Sequence, residues 1–449
     1  MKDARHTYFL LFNLLLFISI DCLASSSHIT HLLQTKAVTY KTIPFKKNGI
    51  FKSEDRHIGY DLRIKNEVDD NQRGTINVEV KNAAGYPLFH STVGVYIPIR
   101  GTFGQEINFD NTQFAPGFYT VTMILSTNHI SSDTTYYVFA LEPEKLQPIV
   151  NKPSDFDAFW NDTKRELVNT NPNFNVIKRP DLSTIYVDVY LVEFKSLDDI
   201  TVRGWLSVPK DKGKFPVIYK LPDYLVDMQP EMRRDIAVFS LNVRGHGNSN
   251  DEVKLDYKQY NTANIFDKYK YIYRGVYMDC LRGLEFIYYK GTELKLDTSK
   301  ISITGEGQGA ALAAATASLD ASGRRAKGIA IENPIYTDWR NLIAYAELQR
   351  EASWPAAAFK DYIYNNRTKF FNTWDYFDPI NFAANINCPV LLAIGLKNTN
   401  APPQCSYDFF NQLRFVKREL YSCPNCSEQL DANYLNLKNI WTKEVLRAP

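Results

Sequence analysis

The segment Gly305-Glu306-Gly307-Gln308-Gly309 follows the apolar run Ile301 to Thr304 and opens the alanine-rich stretch Ala310 to Leu319. Strand, glycine-flanked turn and helix is the setting in which a G-x-S-x-G elbow lifts a serine above a parallel sheet. A serine hydroxyl attacks only when a base takes its proton and an acceptor orients that base. Here the central position is Gly307, which carries no attacking atom. A phosphate-cradling loop would need Lys-Ser/Thr after the glycines, and Ala310-Ala311 stand there instead. Glu306 offers a carboxylate beside the empty position. The histidines are His6, His28, His31, His57, His90, His129 and His246, so no imidazole follows the elbow in the chain. Cys423-Pro424-Asn425-Cys426 has redox or zinc-knuckle spacing, but zinc needs two further ligands, and a local disulfide or two free thiols are the simpler readings. No cofactor or metal is called for.

Such an elbow needs a parallel sheet beneath it. After about residue 153 the chain alternates helices with short apolar strands, the texture of a parallel sheet covered on both faces. Ser154 opens an amphipathic helix running to about Val168. Strands are expected at Ile185 to Phe194, Val202 to Val208, Phe215 to Lys220, Ile236 to Asn242, Lys300 to Gly305 and Val390 to Gly395. A helix at Tyr273 to Tyr288 places Val276, Cys280, Leu284 and Ile287 on one face. The Gly305 to Gly309 turn should then lie at the strands' C-terminal edge, with Asn398 on a nearby loop.

The front of the chain reads differently. Gly59 to Ile64, Thr75 to Val80 and Phe118 to Met123 alternate with the two-residue period of strands, broken at Asn82 to Pro87, Pro116-Gly117 and Asn128 to Asp133. This predicts an all-β sandwich domain of Ig-like type over 28–147, a proline-bearing linker at Leu141 to Pro153, and an α/β domain over 150–449.

The 449 residues are 45% hydrophobic and 23% charged, which excludes disordered and low-complexity classes. Lys+Arg 52 against Asp+Glu 50 leaves +2, so nothing in the overall charge points to nucleic acid. The 14% aromatic share suits both tyrosine-rich strands and stacking against sugars. Lys2, Arg5 and His6 precede the apolar run Tyr8 to Ile20, followed by Cys22, Leu23 and Ala24. That is the pattern of a signal peptide over 1–24, shorter than a membrane span, and predicts a secreted or periplasmic protein. Asp21 is a poor neighbour for a lipidated Cys22. Removing Cys22 leaves Cys280, Cys388, Cys405, Cys423 and Cys426, an odd set with room for one or two bridges.

Six segments occur in the order and spacing of one family: Pro153 to Trp160, Asn242 to Ser249 with Arg244-Gly245-His246-Gly247, Tyr273 to Asp279, the elbow, Asp378 to Ala383, and Gly395-Leu396 through Pro402-Pro403. Across roughly Pro153 to Glu428 the chain resembles the acetyl xylan esterase / cephalosporin C deacetylase family. The resemblance implies an α/β-hydrolase fold with a mostly parallel central sheet. For active members it implies removal of acetyl groups from sugars by a Ser-Asp-His triad. Carried over position by position, the serine falls on Gly307, the aspartate on Asn398, and the histidine on or beside Glu428. The backbone N–H groups of Tyr224 and Gln308 fall where the family stabilises the oxyanion, open to a carboxylate or acetyl oxygen. His246 falls on a structural turn beside the site.

Three functions follow as expectations. The leading one is a triad-less, inactive protein that binds a plant-type polysaccharide or acetylated oligosaccharide. The second is an active ester hydrolase working through His246 or Glu306 and an activated water. The third is a structural partner of an active esterase.

Overall fold

The computed structural model describes residues 37–128, 130, 132–320, 326–348 and 354–448. The expected leader 1–24, Cys22 included, lies outside the described residues, as do the first residues of the expected front domain. Among the described residues no helix is long and apolar enough to cross a membrane.

The front portion is built from β1 (Val38–Pro44), β2 (Ile50–Phe51), β3 (His57–Asn66), β4 (Gln72–Asn82), β5 (Pro87–Ile97), β6 (Thr102–Asp110), β7 (Gly117–Thr127) and β8 (Asp133–Leu141). They form a three-stranded sheet, β1-β3-β6, and a five-stranded sheet, β2-β8-β7-β4-β5. The two-residue period sends Ile58, Tyr60, Leu62 and Ile64 of β3 into one core with Ile76, Val78 and Val80 of β4 and Val121, Met123 and Leu125 of β7. Polar residues on the intervening positions face outward.

A short turn at Pro143–Lys145 leads to α1 (Phe156–Asn169). Asp155 rather than Ser154 stands at its N-cap, and its side chain does not cap the helix. The Asp155 carboxylate instead accepts from Lys268 Nζ at 2.9 Å and from the Tyr376 hydroxyl, pinning the helix entry to later segments.

The rest of the chain contributes β9 (Asn175–Lys178), β10 (Val187–Lys195), β11 (Thr201–Pro209), β12 (Phe215–Lys220), β13 (Ala237–Asn242), β14 (Leu296–Glu306), β15 (Ala326–Glu332), β16 (Val390–Gly395) and β17 (Arg418–Cys423). They make one nine-stranded sheet in the order β17-β16-β15-β14-β12-β13-β11-β10-β9. From β13 through β17 neighbours are parallel, while β9, β10 and β11 form an antiparallel edge. The helices are α2 (Ile272–Lys290), α3 (Gln308–Leu319), α4 (Trp339–Leu348), α5 (Ala356–Trp374), α6 (Pro403–Gln412) and α7 (Ala432–Leu446). Every residue of β13 and β16 is buried, as continuous apolar runs should be when helices cover both faces.

The segments around Arg244 and Asp279 hold the loops at the sheet's C-terminal edge. Asp279 accepts from Arg244 Nε at 2.9 Å, Nη2 at 2.8 Å and backbone N at 3.0 Å, all out of solvent. The front portion rests on the same body: Phe118 packs against Tyr407 at 5.9 Å, and Asn411 Nδ2 donates to the carbonyl of Pro143 at 3.0 Å.

Candidate functional site

Strand β14 ends at Glu306 and α3 begins at Gln308, so a single residue, Gly307, makes the whole turn. Its φ of 53° and ψ of −117° lie in a region that L side chains avoid, and only glycine holds it without strain. The turn is tied down by Gly307 N donating to the carbonyl of Glu332 at 2.9 Å and Ile335 N donating to the carbonyl of Gly307 at 3.2 Å. Gly309 answers a different need: a Cβ there would lie 2.5 Å from the carbonyl oxygen of Leu221, so helix and strand approach this closely only without one.

A cavity of about 410 Å³ opens over this turn. Gly307, Glu306, Tyr224, Asn398 and Glu428 all line it, so the structure brings together five of the positions that sequence reasoning selected, while Gln308 is buried behind the turn. They arrive from separate loops after β12, β14, β16 and β17 at the same edge of the sheet, the edge where open α/β sheets place their ligands.

Beside Gly307 the cavity is lined by a residue that sequence reasoning did not select. Asp223 Oδ1 accepts from the backbone N of Gln308 at 2.8 Å and from that of Tyr224 at 2.7 Å. These are the two donors expected to face an oxyanion, and a carboxylate of the chain itself holds both. A Cβ built on residue 307 would lie 2.3 Å from the same Oδ1. The Asp223 side chain therefore stands where a serine side chain would project. Burial raises its carboxyl above the ordinary carboxylate range and Glu428 adds to this, against the pull of the two N–H bonds. The one signal in the sequence is that Asp223 directly precedes Tyr224.

Asn398 is buried and turned toward its own loop. Its Oδ1 accepts from the backbone N of Asn400 and of Ala401, both at 2.9 Å, the work of a loop staple. Glu428 is exposed at the rim, where Asn400 Nδ2 donates to its Oε1. Asn333, also missed, bridges these loops: its Oδ1 accepts from Gly395 N at 2.8 Å and its Nδ2 donates to the carbonyl of Glu428 at 2.8 Å. Partial loss of solvent raises Glu306, with Glu332 and Asp223 pushing the same way. Trp354 and Tyr224 complete one wall, their ring centroids 5.0 Å apart.

His246, weighed above as a relocated base, is not brought to this cavity. It is buried against Tyr260, with ring centroids 4.9 Å apart, and is not among the residues lining the cavity. Among the described residues neither ring nitrogen has a hydrogen-bond partner, and burial pushes the imidazole down to about 3. A proton acceptor needs reach and basicity, and His246 has neither here. Cys423 and Cys426 are joined in a disulfide just before Glu428, while Cys280, Cys388 and Cys405 are free and buried.

Comparison with known proteins places this arrangement. The chain is 25% identical over 393 residues to the acetyl esterase Axe7A of Xylanibacter ruminicola, spanning 83% of this chain and 84% of that one. That share exceeds what residues 150–449 alone supply, so the likeness reaches into the front portion. Among solved structures, the acetyl xylan esterase from Paenibacillus sp. R4 superposes with a TM-score of 0.59 at 24% identity, covering 68% of this chain and 98% of that one. Acetyl xylan esterase 1 from Thermoanaerobacterium sp. JW/SL YS485 gives the same TM-score of 0.59 at 17% identity, with coverage of 68% and 98%. These two likenesses identify the nine-stranded body as an α/β-hydrolase fold. The family model described as acetyl xylan esterase matches residues 138–441, more than half the chain, and the protein belongs to the acetyl xylan esterase family.

Proposed function

We propose that this chain is a non-hydrolytic member of its family, exported by its N-terminal segment, that binds acetylated or plain oligosaccharides without cleaving them. One observation carries the reading: at Gly307 the attacking atom is gone, and the Asp223 carboxylate holds both backbone donors that an acyl oxyanion would need. An anion cannot stabilise a second anion in the same place, so the largest electrostatic contribution to acyl transfer is lost together with the nucleophile. The cavity nonetheless keeps aromatic faces of the kind sugar binding uses, the Trp354 and Tyr224 rings, beside the Glu306 and Glu428 carboxylates. We further read residues 28–147 as an Ig-like sandwich and 150–449 as the hydrolase domain.

Calorimetry with acetylated and plain xylo-oligosaccharides, beside an aryl-acetate assay, tests this. Expected are dissociation constants between about 1 μM and 1 mM, weakened by Gly307→Leu, and no turnover sensitive to serine-directed reagents. A turnover of about 1 per second or more would overturn it.

A second reading is favoured by Glu306, which lines the cavity with a raised carboxyl and could act on a water. Turnover abolished by Glu306→Gln would establish it.

A further inference from the structure

A second cavity, of about 250 Å³, lies where the front portion meets the hydrolase body. Phe118, Tyr136 and Val138 line it from β7 and β8, and Lys397, Asn398 and Pro403 from the loop after β16 and the start of α6. Its walls are mainly apolar. Its one charged lining residue is Lys397, whose ammonium lies 4.1 Å from the Tyr137 ring centroid and 5.6 Å from that of Tyr136. Among the described residues no carboxylate pairs with it, whereas Arg203 and Lys438, also partly buried, have Glu193 and Glu332. Burial alone accounts for the downward shift of its amine. A half-buried cation facing an apolar chamber, held only by ring faces, is a site in need of an anion.

We propose that this interdomain cavity binds a small aromatic carboxylate, its carboxylate on Lys397 and its ring between Phe118, Tyr136 and Val138. A single cation matches a single negative charge better than a phosphate dianion, and the chamber's size admits about one ring and a short side arm. At the first turn of α6, Gln404 also lines the chamber and brings a side-chain amide to it. Asn398 lines this cavity and the one over Gly307, so an occupant would rest against the loop that closes the first site.

The test titrates the full chain with trans-cinnamate and benzoate, and with methyl cinnamate as the uncharged control, by calorimetry. Expected is a dissociation constant between about 10 μM and 1 mM for at least one acid, with methyl cinnamate weaker by about tenfold or more. Lys397→Met, which keeps the apolar stem, should weaken the acid by about tenfold or more, while Lys397→Arg stays within about threefold of the parent. Circular dichroism confirms that both variants fold. Equal binding of acid and ester, binding unchanged in Lys397→Met, or no heat from either acid would each overturn the proposal. Xylo-oligosaccharide binding is read separately over Gly307, so failure of one proposal leaves the other standing.

Discussion

Asp223 Oδ1 lies 2.8 Å from the backbone N of Gln308, the residue directly after the elbow glycine. A Cβ on residue 307 would crowd that carboxylate at 2.3 Å, so the missing side chain gives it room. The substitution at the elbow and the carboxylate in the donor site are thus sterically linked.

Restoring the triad alone should not restore the enzyme. Gly307→Ser/Asn398→Asp/Glu428→His leaves Asp223 competing for the oxyanion donors, so aryl-acetate hydrolysis should remain near background. Adding Asp223→Gly frees both N–H groups, and the rate should rise by about 10²-fold or more over the triple variant. Equal rates in the two variants would contradict this.

Gly307→Ala should destabilise the fold by about 1–3 kcal/mol from backbone strain, with more from the clash with Asp223. In Asp223→Ala the same substitution should cost less, since only the strain remains. Urea unfolding of the four proteins in the cycle measures the difference directly, and strict additivity would show that the clash does not matter.

The Arg244–Asp279 pair should matter more than any surface ion pair. It makes three hydrogen bonds out of solvent, and Asp279→Ala leaves a buried guanidinium with only the exposed Asp198 carboxylate, at 3.5 Å, and the Leu197 carbonyl, a loss of about 3 kcal/mol. Thermal unfolding should show a loss far beyond that of Asp162→Ala, whose partner Arg165 is exposed. A comparable midpoint for the two variants would rule this out.

Stability should peak between two opposed titrations. His246 is held at about 3 by burial, below its unfolded value of about 6.5. The native state binds fewer protons there, and stability falls as pH drops below about 6.5. Asp378 is pushed up to about 8 by burial and then by Asp338. Its contribution is full below its unfolded value of about 3.9 and is lost as pH rises through about 8. Between about 3.9 and 6.5 the two slopes offset, so His246→Leu should expose a fall in stability with rising pH there, and Asp378→Asn should flatten the fall between about 6.5 and 8, each by up to about 1.4 kcal/mol per pH unit. Unfolding midpoints across the range check both slopes.

What the residues reveal before any coordinates depends on how local the physics is. The apolar runs at Val390 to Gly395 and Phe215 to Lys220 read as strands because both sheet faces are covered, and they appear with those bounds. The turn at Gly307 is legible because its chemistry lies within five consecutive residues. Helices α5 and α7 were missed: their polar and aromatic residues are mixed, and tertiary packing of Trp374 and Trp441 decides them. The burial of His246 depends on Tyr260, which neighbouring sequence does not announce. Asp223 was passed over because its role depends on the backbone of Gln308, distant in sequence and adjacent only once β12 and β14 pair.

Hydrolysis of an acetyl ester releases acetate, whose charged group is a carboxylate. By placing Asp223 on the N–H groups of Tyr224 and Gln308, the chain sets a tethered carboxylate on two neighbouring backbone donors. A free carboxylate seeking those same N–H groups would have to displace a side chain of the protein itself.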